Sequence, residues 1–237
     1  MQKLNAKNKA TLLIGDSHLP YEHIDYLDFC KYVSDYFGCK LHIHMGDYED
    51  HHAISFHDSD SELLSAGEEL KEVIKRTAHW YETFPKMKII DSNHGSLVFR
   101  RLKSHGIPIS FIKPLKQIYK TPKWTWYGDL LLQTKQGDVY LTHGKSGVYN
   151  KLAKEIGCSA AQGHYHGKHE ITWSNSVFHQ RFNMFVGCGI DIESLAFAYG
   201  KNNIPQPMLG VGVIDEEGNP HICRMRLNKK GRWIGYL

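Results

Sequence analysis

A chain of 237 residues, 41% apolar and 23% charged, can bury a core without disulfides or a structural metal. That excludes small stapled scaffolds, fibrous repeats and wholesale disorder. Its 29 basic and 25 acidic residues leave a net charge of +4, which tolerates an anionic partner but is too mild to demonstrate one. Histidine is over-represented, with 16 residues, and since imidazole is the commonest metal ligand the composition points to a metal site. The five cysteines are an odd number without a CxxC pair, which suits a reducing compartment. The start has no apolar stretch of signal-peptide length, and no apolar run approaches a membrane span. A soluble, cytoplasmic protein with no membrane partner is expected; oligomeric state is not legible.

In chain order, residues 11–14, 40–45 and 88–91 are short β-prone runs separated by segments of helical period. Ile24, Leu27, Cys30, Val33 and Phe37 predict a helix over 22–37. Leu63, Leu70, Val73, Ile74, Trp80, Tyr81 and Phe84 predict the longest helix over 61–84, stopped by Pro85. A shorter helix is predicted from Gly95 to Ser104, with Gly106 and Pro108 beyond it. From about residue 118 the texture turns to strands, with a hairpin around Gln136–Asp138 where Gly137 supplies the turn. One amphipathic helix over 148–156 interrupts it, using Val148, Leu152, Ala153 and Ile156 and closed by Gly157. Further strands are predicted near 169–173, 181–187, 208–214 and 221–226. No repeat or linker divides the chain, so residues 1–237 read as one domain whose two halves bring separate sheets together.

Five short sequences fall where predicted strands end: Asp16-Ser17-His18, Gly46-Asp47-Tyr48-Glu49-Asp50, Ser92-Asn93-His94, Thr142-His143-Gly144 and Gly163-His164-Tyr165-His166. Loops at strand ends are where α/β folds place function. Carboxylate, imidazole and amide ligands without thiolate suit manganese, iron, zinc or nickel better than magnesium or copper(I). Seven such side chains exceed one open catalytic metal but suit two metals sharing a carboxylate, for which Asp47 is the candidate.

This order of DxH, GDxxD, NH, a lone His and GHxH, spread over residues 11–170, resembles the calcineurin-like metallophosphoesterase superfamily. Within it, IGDSHLPY and the spacing from HG to GHxH look like the small single-domain enzymes of bacteriophage and bacterial genomes. The resemblance implies a four-layer α/β sandwich of two mostly mixed β-sheets flanked by helices. It implies that Asp16, His18, Asp47 and His166 hold one divalent ion, and Asp47, Asn93, His143 and His164 the other, manganese being the first choice. His94 would stand beside the substrate phosphate as the catalytic acid or hydrogen-bond donor, and Asp50 would orient ligands from behind. A metal-bridging hydroxide would then attack phosphorus. Two departures fall in the catalytic loop: Ser92 replaces the family's glycine, and Gly95 its acid. Asp91 or an acid from elsewhere is expected to take over orienting His94.

Among the other histidines, His42 and His44 alternate with Leu41, Ile43 and Met45 and read as structural. His51, His52 and His57 read as solvated loop residues. Gly187-Cys188-Gly189 reads as a turn whose thiol is not a nucleophile. Residues 47–72 hold nine acids and one base, whereas 95–126 hold seven bases and no acid. Of the latter, Arg100 and Arg101 are placed to meet substrate. With Phe111, Tyr119, Trp124 and Trp126 interleaved, the run suits a polyanion such as DNA or RNA. A phosphodiesterase or nuclease is therefore expected, with a phosphomonoesterase and a catalytically weakened metal-binding nucleic-acid-binding or scaffold protein as alternatives. Residues after about 190, including FAYGKNNIPQP, match no motif.

Overall fold

Two six-stranded sheets form the centre of the fold in a computed structural model of the chain, which describes residues 1–56, 62–194 and 206–237. The strands are β1 (Gln2–Asn5), β2 (Thr11–Ile14), β3 (Leu41–His44), β4 (Lys88–Ile90), β5 (Thr125–Tyr127), β6 (Leu130–Thr134), β7 (Gly137–Thr142), β8 (Ser159–Gln162), β9 (His169–Asn175), β10 (Gln180–Val186), β11 (Gly210–Ile214) and β12 (Pro220–Arg224). The first sheet runs β12-β11-β2-β3-β4-β5 and the second β1-β6-β7-β8-β10-β9, and both mix parallel and antiparallel pairs.

β2 to β5 are mutually parallel, as the alternation of strands and helical segments in the first half requires. The expectation that each half of the chain makes its own sheet needs correction. β1, with no apolar alternation to announce it, pairs with β6 in the second sheet, and β11 and β12 return to the first beside β2.

The helices are α1 (Tyr26–Tyr36), α2 (Ala66–Thr83), α3 (Leu97–Ser104), α4 (Leu115–Ile118) and α5 (Lys151–Ile156). α1 starts four residues later than 22 because the His23 amide donates to Gly189 O at 2.8 Å, drawing the chain toward the second half; Ile24 is exposed. α2 starts at Ala66, where the Ser65 amide donates to Glu68 Oε2 at 3.1 Å in a capping box. α5 is shorter than the predicted 148–156: Val148 and Ile156 are exposed and only Leu152 and Ala153 are buried, with Gly157 left-handed at its end. The hairpin is tight, Thr134 pairing with Gly137.

Leu13, Ile43 and Met45 of the first sheet meet Leu132, Leu141, Met184 and Val186 of the second in the core between the sheets. Leu12 and Ile14 on the other face bury α1 and α2 through Phe29, Val33, Val73 and Trp80. Outside the second sheet lies the small cluster of Leu152, Ala153 and Ala160 from α5 and β8. The architecture is thus the expected α/β sandwich of two mixed sheets flanked by helices, with a thin fourth layer. His44 and His42 face α1 and α2 and bond Ser17 Oγ at 3.0 Å and Ser34 Oγ at 2.9 Å, in the structural roles expected of them. Tyr119 and Trp124 are core residues, Trp124 Nε1 donating to Phe84 O at 2.8 Å, so of the aromatics in the basic run only Phe111 is widely exposed. No helix among the described residues is long and apolar enough to cross a membrane.

Candidate metal centre

Parallel strands point their carboxyl ends the same way, so the loops after β2, β3 and β4 in one sheet converge with those after β7 and β8 in the other. Closeness depends on glycines. A Cβ on Gly15 would overlap Gly187 O, and one on Gly163 would overlap Asp16 Oδ1. Three residues of these loops, His18, Asp47 and His164, are left-handed at φ 51°, 46° and 68°. That is the kind of local strain folded proteins keep at functional sites.

The first cluster is Asp16, His18, Asp47 and His166, whose ligand atoms all lie within 4.8 Å of one another. His166 Nε2 is 3.0 Å from Asp16 Oδ2, His18 Nε2 is 3.2 Å from His166 Nε2 and 3.6 Å from Asp47 Oδ2. The second is Asp47, His143 and His164. His143 Nε2 is 3.2 Å from Asp47 Oδ2 and 2.7 Å from Asn93 Oδ1, which brings the amide into the same group. Asp47 is common to both. Asp16, His18, Asp47 and His143 are buried, while Asn93 and His164 are exposed, so the clusters open to solvent on one side.

Supporting contacts orient the donors. His143 Nδ1 donates to Met45 O at 3.0 Å and His18 Nδ1 to Asp50 Oδ1 at 2.6 Å, which turns Nε2 of each ring toward the cluster. The His94 amide donates to Asp47 Oδ1 at 3.0 Å and the His164 amide to Asp16 Oδ2 at 2.8 Å. Asp16 Oδ1 is buried without a hydrogen-bond partner. The unpartnered Asp16 oxygen and the Nε2 atoms turned inward on His18 and His143 fit a cation, because carboxylate, imidazole and amide are the donors that borderline divalent ions take.

The electrostatics agree. Burial would raise the Asp47 carboxyl, but the imidazoles of His143, His18 and His94 outweigh it and hold it well below the ordinary range. Asp16 is lowered against its burial by His143 and His166. Burial would depress His143, yet Asp47 and Asp16 push it up to about 9. His166 is raised by Asp16 against its burial, whereas burial keeps His18 and His164 low. The two buried carboxylates thus favour the protonated forms of His143 and His166.

His94 stands 4.6 Å from the His18 ring, edge on, half-buried beside the open side. The acid missing after it is supplied by Asp50, whose Oδ1 is 3.3 Å from His94 Nδ1 and whose backbone oxygen accepts from the same nitrogen. Asp50 therefore orients His18 and His94 together. Asp91 is exposed, its amide bonded to Tyr127 O and its carboxyl raised by partial burial and by Glu49 and Asp129, and the contacts to His94 come from Asp50, so the choice between Asp91 and another acid falls to Asp50.

His51 is a correction: it is buried and left-handed, its Nε2 3.6 Å from Glu49 Oε1, so it is no solvated loop residue. His52 is half-buried, 3.8 Å from Asp50, and His57 lies outside the described residues. Arg101 does not reach into the cleft; it donates to Ile54 O at 2.8 Å and to Ser55 O and stacks on Phe56. Arg100 Nη2 donates to Asn93 O at 2.6 Å and is exposed beside it. Gly187-Cys188-Gly189 is no free turn: Cys188 bridges Asp16 and Leu209 through its backbone, and burial pushes its thiol up, which suits an inert thiol. Sequence reasoning missed Met45 O and Gln162. The latter's buried side chain pins the loop after His143 by accepting from the Lys145 amide at 3.2 Å and donating to Ser146 O at 2.9 Å.

No family model matches the chain, and no curated protein matches it by sequence. Solved structures similar in chain path include Vps29 of Chaetomium thermophilum, 12% identical with a TM-score of 0.48, covering 95% of this chain and 92% of that one. YfcE, a phosphoesterase from E. coli, is 12% identical with a TM-score of 0.42, covering 92% of this chain and 100% of its own. Vacuolar Protein Sorting 29 of Cryptosporidium parvum is 12% identical with a TM-score of 0.43, covering 91% and 95%. These likenesses concern chain path alone; what the site can do rests on the side chains described above.

Proposed function

We propose that the chain is a calcineurin-like metallophosphoesterase that uses two divalent ions, manganese being the first to test, to hydrolyse phosphodiesters of nucleotides or nucleic acid. The observation that supports it most is the sharing of one buried carboxylate, Asp47, by two ligand-competent clusters, each with one imidazole, His18 or His143, held with Nε2 inward. Asp16, His18, Asp47 and His166 would hold one ion, and Asp47, Asn93, His143 and His164 the other. Bound there, such ions supply Lewis acidity: they lower the pKa of a water and neutralise charge on phosphoryl oxygens.

The protein's own groups do the rest. Buried Asp16 and Asp47 stay ionised and attract a cation, and the amides of His164 and His94 hold the two carboxylates in place. His94, its Nδ1–H held by Asp50, would in its doubly protonated form give the Nε2 proton to the departing oxygen and keep the Nδ1 proton, a role worth typically about 10²- to 10⁴-fold. Because Asp50 restores the orienting acid, the Gly95 departure does not argue for a lost activity.

Hydrolysis of bis(p-nitrophenyl) phosphate with manganese, abolished in Asp47→Ala and in His143→Ala, is the expected result. Faster turnover of p-nitrophenyl phosphate than of the diester, by kcat/KM, would replace the diesterase with a phosphomonoesterase. Metal-loaded, folded protein silent on both esters while binding oligonucleotides would replace it with a binding protein.

A further inference from the structure

The basic run lies outside the metal centre but begins at it. α3 starts three residues after His94, and the Arg100 contact to Asn93 O ties its middle turn to the open side of the clusters. On its outer face, Phe99, Ile107, Pro108 and Ile109 line an open cavity of about 410 Å³ with Arg100 and Lys103 at the rim. Ligand sites occupy roughly 300 to 1,000 Å³. Helical rise puts Lys103 on the order of 10 Å beyond His94 along the chain. A strand bound at the metal centre and running along α3 would meet this cavity.

Charge singles out the occupant. Arg100, Lys103, Lys113, Lys116 and Lys120 are all exposed, and none forms an ion pair with a described residue. Ile109 and Phe111 stand among them, 59% and 80% exposed. Uncompensated cations attract a polyanion, and apolar or aromatic faces between them accept bases. A duplex keeps its bases stacked and paired, so only a single strand could seat one in the cavity.

We propose that α3 and residues 106–113 form a subsite for single-stranded nucleic acid, with one base in the cavity and flanking phosphates on Arg100 and Lys103. It rests on the phosphodiesterase reading for its orientation toward the metal centre, but binding tests it separately from turnover.

Fluorescence anisotropy of the full chain with fluorescein-labelled dT15 in EDTA removes cleavage from the readout. Binding is expected to be tighter than for a duplex of equal length. Lys103→Glu should raise Kd about tenfold and flatten its salt dependence, whereas Ile109→Ser should raise Kd about fivefold with the salt dependence unchanged. Both positions are exposed, and both variants should keep the wild-type melting temperature and rate on bis(p-nitrophenyl) phosphate. Wild-type Kd in both variants, or a preference for duplex, would overturn the subsite. So would a dimer seen in sedimentation and lost in Ile109→Ser, which would assign the surface to a second copy. Intact, variant-sensitive binding by a protein without esterase activity would uphold the subsite and remove the enzymatic reading alone.

Discussion

At the residue scale, the side chain that organises most of the site is Asp50, grouped with His18 and His94. Its carboxylate accepts from His18 Nδ1 and lies 3.3 Å from His94 Nδ1, which its backbone oxygen holds, so one residue orients a buried ring and the half-buried one at the open side. Asp50→Asn retains the shape and removes the charge; it should cost about 10- to 100-fold in metal affinity or activity, measured by isothermal titration with manganese and by diester kinetics. An unchanged pair of values would detach Asp50 from both histidines. Protonation gives a second expectation. With His143 held to about 9 by Asp47 and Asp16 despite its burial, its ring carries a proton at pH 7.5. A cation at Nε2 displaces it. Binding should therefore release at least one proton, and affinity should rise with pH up to about 9 and level off above, because the competing proton is then gone. Titrations in buffers of different ionisation enthalpy count it directly; zero release would contradict a cation at His143. The motif residues themselves were legible because carboxylate and imidazole are chemically conspicuous. Met45 O was not, since a backbone carbonyl carries no sequence signal.

At the scale of elements, the strands of the sheet centres were legible because continuous apolar runs such as TLLI are buried on both faces. β1 was not: its side chains are largely exposed, and pairing with β6 rather than burial makes it a strand. The predicted helix starts erred where local contacts compete with period. α2 waits for its cap at Ser65, and removing that cap as Ser65→Ala should lower stability by about 1 kcal/mol in chemical denaturation. The junction after β8 makes a sharper test. A Cβ on Gly163 would meet Asp16 Oδ1, so Gly163→Ala should weaken manganese binding on the order of tenfold while the protein remains folded by circular dichroism. Wild-type affinity in that variant would mean that the β8 loop does not set the position of Asp16.

For the whole molecule, the exchange of terminal strands between sheets was the feature hardest to read, because the pairing of β1 with β6 and of β11 with β2 depends on which edges are left open after the parallel strands assemble. The exchange has a mechanical consequence: neither sheet can be completed by one half of the chain. The last residues extend the tie, since Asp25 of the α1 approach accepts from Arg232 Nε at 2.8 Å and from the Trp233 amide at 2.9 Å. Unfolding followed by tryptophan fluorescence and by circular dichroism should give coincident transitions, and separated midpoints would contradict the interlock. The Arg232 contact also holds the Asp25 carboxyl below its ordinary value. Its contribution is present above the unfolded carboxyl pKa of about 3.9 and fades as pH falls through the lower folded value, so Arg232→Gln should narrow the stability gap between pH 5 and pH 2.5. The most direct test of the site is anomalous diffraction from crystals of the full chain grown with manganese. Two peaks flanking the Asp47 carboxylate, about 3.5 to 4 Å apart, are the expected result; a single peak away from Asp47, or none at saturating metal, would contradict it.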